Sequence, residues 1–209
     1  MSSNGKKTTY NASDCNFDSM VENILQAFEK VGAYNAQSIH WYAEKHNELV
    51  KLAGTLQIDA IRFIAIVAVT SPSQRWDKNI TTACQIVSDM HMYGSANGRY
   101  MCYPANVKKA VRIYNGEKPE SVLSGQKVTS FFHNLVNPYA SGIVTIDRHA
   151  IHIAMYGISN DAPSGDLSVT KKAYSLFVGA YVHAASILDI LPQDLQSATW
   201  SLKASAKSL

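Results

Sequence analysis

The stretch QIDAIRFIAIVAVTSP, residues 57 to 72, is apolar on nearly every side when wound as a helix. Such a helix has no polar face to offer water, so other elements must surround it. Pro72 ends it, since a proline further in would lack its N–H and clash with the preceding turn. The apolar run at its heart, FIAIVAV (63 to 69), is far too short to span a bilayer, which needs about 20 such residues. The chain must therefore fold around a buried central helix, and no membrane partner is expected.

Segments able to surround that helix lie on both sides of it. NFDSMVENILQAFEKVG (16 to 32) puts Met20, Ile24, Leu25, Phe28 and Val31 on one stripe and stops at Gly32. NAQSIHWYAEKHNELVKLAG (35 to 54) repeats the pattern, and WDKNITTACQIVSDMHMYG (76 to 94) follows. After an irregular SANGRYMCYP comes ANVKKAVRIYNG (105 to 116), closed by Asn-Gly. VTKKAYSLFVGAYVHAASILDIL (169 to 191) carries Ala173, Phe177, Ala180, Ala184, Ile187 and Leu191 at helical spacing, and Pro192 opens a last helix. No clean alternation of period two competes, no repeat is evident, and no low-complexity linker divides the chain. The prediction is an all-α single globular domain of about eight to ten helices over residues 16–209. A flexible polar tail, residues 1–15, precedes it.

Composition narrows the function classes. A content of 46% hydrophobic and 17% charged residues excludes a disordered chain. Lys6 and Lys7 have no apolar stretch behind them, so no secretory signal is expected. Cys15, Cys84 and Cys102 are odd in number and form no CxxC pair, which signals neither a disulfide framework nor a zinc site. A cytoplasmic protein without metal or cofactor is the expectation. The net charge of +3 and the pI near 8.7 are compatible with a nucleic-acid partner, as they are with many others.

The sharpest chemical signal lies in LSGQKVTSFFHNLVNPYASGIVTIDRHAIHIA (123 to 154). Lys127 follows Gly125 and Gln126 at the head of a helix, and Asp147 opens another helix in VTIDRHA. A helix over 127–137 is about 16 Å long, and the extended residues 138–145 reach roughly 26 Å. That slack permits the amine and the carboxylate to meet across one pocket. A helix N-terminus also favours the neutral, nucleophilic form of an amine and offers N–H groups to a phosphate. Set against this, an aspartate at a helix start is ordinarily a cap, and a lysine after glycine a solvated charge.

SGQKVTSFF followed by VTIDRHAIHIA resembles the signature of the helix–hairpin–helix DNA glycosylase superfamily, which includes 8-oxoguanine DNA glycosylase and endonuclease III. The resemblance implies a fold of that type and assigns residues by position. Gly125 matches the second hairpin glycine, with Gln126 beside it. Lys127 matches the lysine that attacks the sugar C1′, and Asp147 the aspartate that activates it and stabilises the cation-like sugar. Arg148 and His149 are then expected to face DNA, and His152 to line the substrate pocket with His133. VAVTSPSQRWDKN (67 to 79) is similar to the helix end and polar turn before the DNA-facing helix of these enzymes, which adds Trp76 as an expected DNA contact, with Gln74, Arg75 and Asn79 read either as DNA contacts or as plain capping and surface residues. The chain looks closer still to small phage and actinobacterial proteins of unknown function. These share the SP turn with its tryptophan and asparagine, the GxKV…F and VTID elements, and a C-terminal LQ…TW, here LQSATW (195 to 200).

The departures are informative. The superfamily hairpin reads Leu-Pro-Gly-Val-Gly where this chain has Ser121, Val122, Leu123, Ser124 and Gly125, so the first glycine is missing. The cysteines of the endonuclease III branch are absent, and no iron–sulfur cluster is expected.

Several other residues have two readings. Trp76 suits stacking on a base or anchoring a core; Trp200 is read as core. Lys108, Lys109, Arg112, Lys171 and Lys172 suit a phosphate-binding rim or solvated helix faces. His133, His149 and His152 have no spacing that marks a metal site. The resemblance implies a monomeric DNA glycosylase, with or without AP-lyase activity, that excises a damaged or modified base from a flipped nucleotide. The alternatives are a phage enzyme acting on a derivatised thymine in hypermodified DNA, and a non-catalytic DNA-binding protein that kept the fold.

Overall fold

In a computed structural model of the chain, which describes residues 8–32, 36–159, 163 and 167–205, the apolar stretch forms a helix over Ala60–Thr70. Asp59 caps its start by accepting a hydrogen bond from the Arg62 N–H at 2.9 Å. Every residue from Phe63 to Thr70 is buried, as the absence of a polar face requires. The mainly helical class read from the sequence is the class of the structure.

The chain divides into two compact units, one formed by residues 1–42 with 139–209 and the other by residues 43–138. Numbered in chain order, the helices assigned to the second unit are α3 (Trp41–Thr55) from Ala43 onward, α4 (Ala60–Thr70), α5 (Trp76–Tyr93), α6 (Pro104–Tyr114), α7 (Pro119–Val122) and α8 (Gln126–Val136). Here α4 packs against α5, α6 and α8, and those three helices bury Ala83, Ile86, Ile113, Phe132 and Leu135. His46 ties α3 to the same unit through a 2.8 Å hydrogen bond between Nδ1 and the Leu135 carbonyl.

The first unit holds α1 (Phe17–Val31), α2 (Ala36–Ile39), α9 (Arg148–Tyr156), α10 (Lys171–Leu188) and α11 (Pro192–Ser205). Its core gathers Met20, Ile24 and Ala27 of α1, Ile153 of α9, and Phe177, Tyr181 and Ala184 of α10. Leu25 and Phe28 pack at its edge. Within this unit α11 lies against α1, α2, α9 and α10, and Pro192 to Thr199 are all buried although most are polar.

Two expectations are corrected here. The segment read as a loose tail enters the fold from Thr8. Thr8–Tyr10 (β1) pairs in parallel with Leu167–Val169 (β2), Thr9 opposite Ser168, and their hydroxyls share a hydrogen bond of 2.7 Å. Tyr10 is buried, and its hydroxyl meets that of Tyr156 at 2.7 Å. The helix expected over 35–54 is broken at His40 into α2 and α3. Among the described residues, no single helix is long and apolar enough to cross a membrane.

Candidate functional site

In the second unit, the candidate residues are built on a short helix, a turn and a longer helix. α7 ends at Val122, Leu123 to Gly125 make the turn, and α8 begins at Gln126. Gly125 stands at φ 85° as the residue before α8, in the left-handed region that a side chain disfavours. An added Cβ there would meet nothing within 4 Å, so the requirement for glycine is conformational rather than steric. Lys127 is the second residue of α8, and it and Gln126 are exposed. His133 lies in the last turn of α8, half-buried, its ring tilted against Phe132. Leu123, in place of the missing glycine, is extended at φ −66° and buried.

The turn from α4 to α5 carries the second group. Gln74 donates to the Thr70 carbonyl at 3.3 Å. Arg75 is exposed, with Asp77 at 3.4 Å. Trp76 is half-buried with the Lys45 ammonium 5.5 Å from its ring centre, a cation–π arrangement. Asn79 is corrected as a DNA contact. It is 2% exposed, donates to the Val67 carbonyl at 3.0 Å and accepts from Thr70 Oγ1 at 2.7 Å, so it ties α5 to the end of α4. Of the expected rim, Lys108 is exposed, Lys109 donates to Ser124 Oγ at 2.5 Å, and Arg112 is held by both oxygens of Glu117.

In the first unit, Asp147 is the cap of α9, half-buried, accepting from the Ala150 N–H at 2.9 Å. Two buried tyrosines feel its charge. Burial foremost, and then Asp147, raise the Tyr42 hydroxyl well above its ordinary pKa, against a hydrogen bond with Thr145 that lowers it. Tyr181 is raised by burial and by Asp147 in the same way, with Thr199 opposing. The Tyr42 hydroxyl donates to Gln196 Oε1 at 2.9 Å. The sequence reading missed both tyrosines, because each reads as a core residue of its helix; the polar LQSAT that meets them was the available signal.

The remaining candidates of this unit lie on α9 and α10. Arg148 is exposed, and His149 stacks edge-on with Trp200 at 5.7 Å. Trp200 is thereby corrected from core to surface, at 38% exposed. His152 is half-buried beside the Tyr156 ring. Lys171 and Lys172 are exposed in the first turn of α10, behind the Thr170 cap. Lys127 therefore belongs to the 43–138 unit and Asp147 to the other.

Cys15, Cys84 and Cys102 are free and half-buried, and no group of three or more metal-binding side chains occurs among the described residues. No curated protein and no solved structure matches the chain. A family model does, over residues 6–207, and takes in both units and every candidate residue above. The chain belongs to DUF7178, a family of unknown function.

Proposed function

We propose that this protein is a DNA glycosylase of the helix–hairpin–helix type, with Lys127 as the attacking amine and Asp147 as the stabilising carboxylate. One observation carries the reading: an exposed lysine in the first turn of α8, directly behind a turn that only a glycine such as Gly125 accommodates readily. An exposed amine at a helix N-terminus is accessible to a sugar–phosphate backbone, and the free N–H groups there suit its phosphate. Deprotonated Nζ attacks C1′, the glycosidic bond breaks, and the base departs with the bonding pair and takes up a proton. Ring opening then leaves an iminium between Lys127 and the sugar. The Asp147 carboxylate opposes the positive charge that develops at C1′.

The test is borohydride trapping on a panel of duplexes carrying modified bases, derivatised thymines included. The native protein should give a covalent adduct, and Lys127→Gln should give none while keeping its fold, since Lys127 is exposed. Asp147→Asn retains a capping oxygen for the Ala150 N–H, so α9 should persist, while base release falls by orders of magnitude. An adduct that survives Lys127→Gln would end the reading. A second reading, a DNA-binding protein without catalysis, is favoured by Leu123, buried and extended where the hairpin glycine belongs. It predicts binding with no adduct on any duplex.

A further inference from the structure

Charge is unevenly divided along the chain. Residues 43–138 hold eleven Lys and Arg against seven Asp and Glu, whereas the other unit holds eight against nine. The basic unit also carries a set of exposed aromatic and methionine side chains. Met92 and Tyr93 end α5 at 66% and 70% exposed, and Met101 and Tyr103 follow in the next loop at 63% and 56%.

That loop is held at two points, one on α5 and one on the turn that precedes α5. Tyr100 donates to Asp89 Oδ2 at 2.6 Å. Asp89 is three and four residues before Met92 and Tyr93, so all three share one helix face. Further on, the Tyr103 hydroxyl meets Ser73 Oγ at 3.2 Å. Ser73 stands at φ 64°, a conformation that a residue with a side chain adopts at a cost and that recurs at functional turns. Both anchors grip a tyrosine by its hydroxyl. At Tyr103 this orients the ring while most of its surface stays open. Two cations flank these points: Arg99 is exposed beside Tyr100, and Arg75 follows Ser73 with its side chain 87% exposed. Asp77 is the acid that meets Arg75, and Asp89 is engaged by Tyr100.

We infer that this loop-and-helix face, Tyr93 with Arg99 to Tyr103 and Arg75, binds a single-stranded nucleic acid. Open aromatic faces accept unpaired bases whatever their sequence, and guanidinium groups take the phosphates between them. A base-paired duplex presents no free base faces to such a surface. This inference does not depend on the glycosylase reading, since no residue of the trapping chemistry lies in it.

The test is fluorescence anisotropy with a labelled oligothymidylate, alone or annealed to oligoadenylate, on the whole protein. The single strand should bind more tightly than the duplex and weaken steeply with salt. Tyr93→Ala with Tyr103→Ala should weaken it by about tenfold or more, whereas Tyr103→Phe should keep most of the affinity, because it retains the ring. Arg99→Ala should lower the slope of log affinity against log salt by about 0.7, the value for one phosphate contact on a single strand. Lys127→Gln, the variant designed to abolish trapping, should leave this binding intact. Unchanged single-strand binding in the double tyrosine variant would overturn the proposal. So would self-association of the native protein that this variant abolishes, which would make the face a contact between copies.

Discussion

At the scale of single residues, Asp194 shows two effects in opposition. It lies in the first turn of α11, where the helix dipole favours a negative charge. It is also 9% exposed, and burial disfavours that charge. Burial wins: the carboxyl is pushed up from 3.8 to about 6, with the nearby His40 pulling the other way. The folded state thus holds this proton more tightly than the unfolded chain does. The resulting stability is fully present below the unfolded value, is lost as pH rises through about 6, and stays absent above. Asp194→Asn is neutral at every pH. It should melt at a higher temperature than the native protein near pH 7 and lose less stability across this window. Thermal melts of the two proteins over that range decide the matter, and an Asn variant less stable at neutral pH would contradict the burial argument.

At the scale of elements, the α7–turn–α8 unit depends on one backbone conformation. Because nothing stands near an added Cβ at Gly125, Gly125→Ala introduces no clash and tests the left-handed conformation alone. It should lower stability by about 1 kcal/mol in denaturant titration, and shift the start of α8 with it. Such local features are what sequence reading captures. The stripe and the Gly32 stop of α1 and the Asp147 cap of α9 each depend on residues within a turn or two. Features closed by distant partners escaped it. β1 and β2 have three residues each, too few for an alternating pattern, and they pair across most of the chain. The burial of Asn79 depends on Thr70 and Val67 at the end of another helix. The burial of the start of α11 has no local signal, because its polar residues find their partners far away, Gln196 at Tyr42 and Ser197 at the Ser38 carbonyl.

At the scale of the molecule, the division into two units was invisible because no linker marks it; the chain leaves the first unit at residue 42 and rejoins it at 139. The division makes the basic rim expected from sequence separable by experiment. Lys171 and Lys172 belong to the unit with the smaller share of positive charge, and both are exposed in the first turn of α10. Lysine is the unfavourable sign at a helix N-terminus, and glutamate the favourable one. The double variant Lys171→Glu/Lys172→Glu should therefore melt no lower than the native protein, and any loss of DNA binding can be read without a folding defect. If both lysines touch phosphate, affinity should fall by a similar factor for every sequence, and the slope of log affinity against log salt should shrink by roughly two. If affinity and slope stay unchanged, these lysines leave the rim, and the phosphate contacts rest with the cations of residues 43–138.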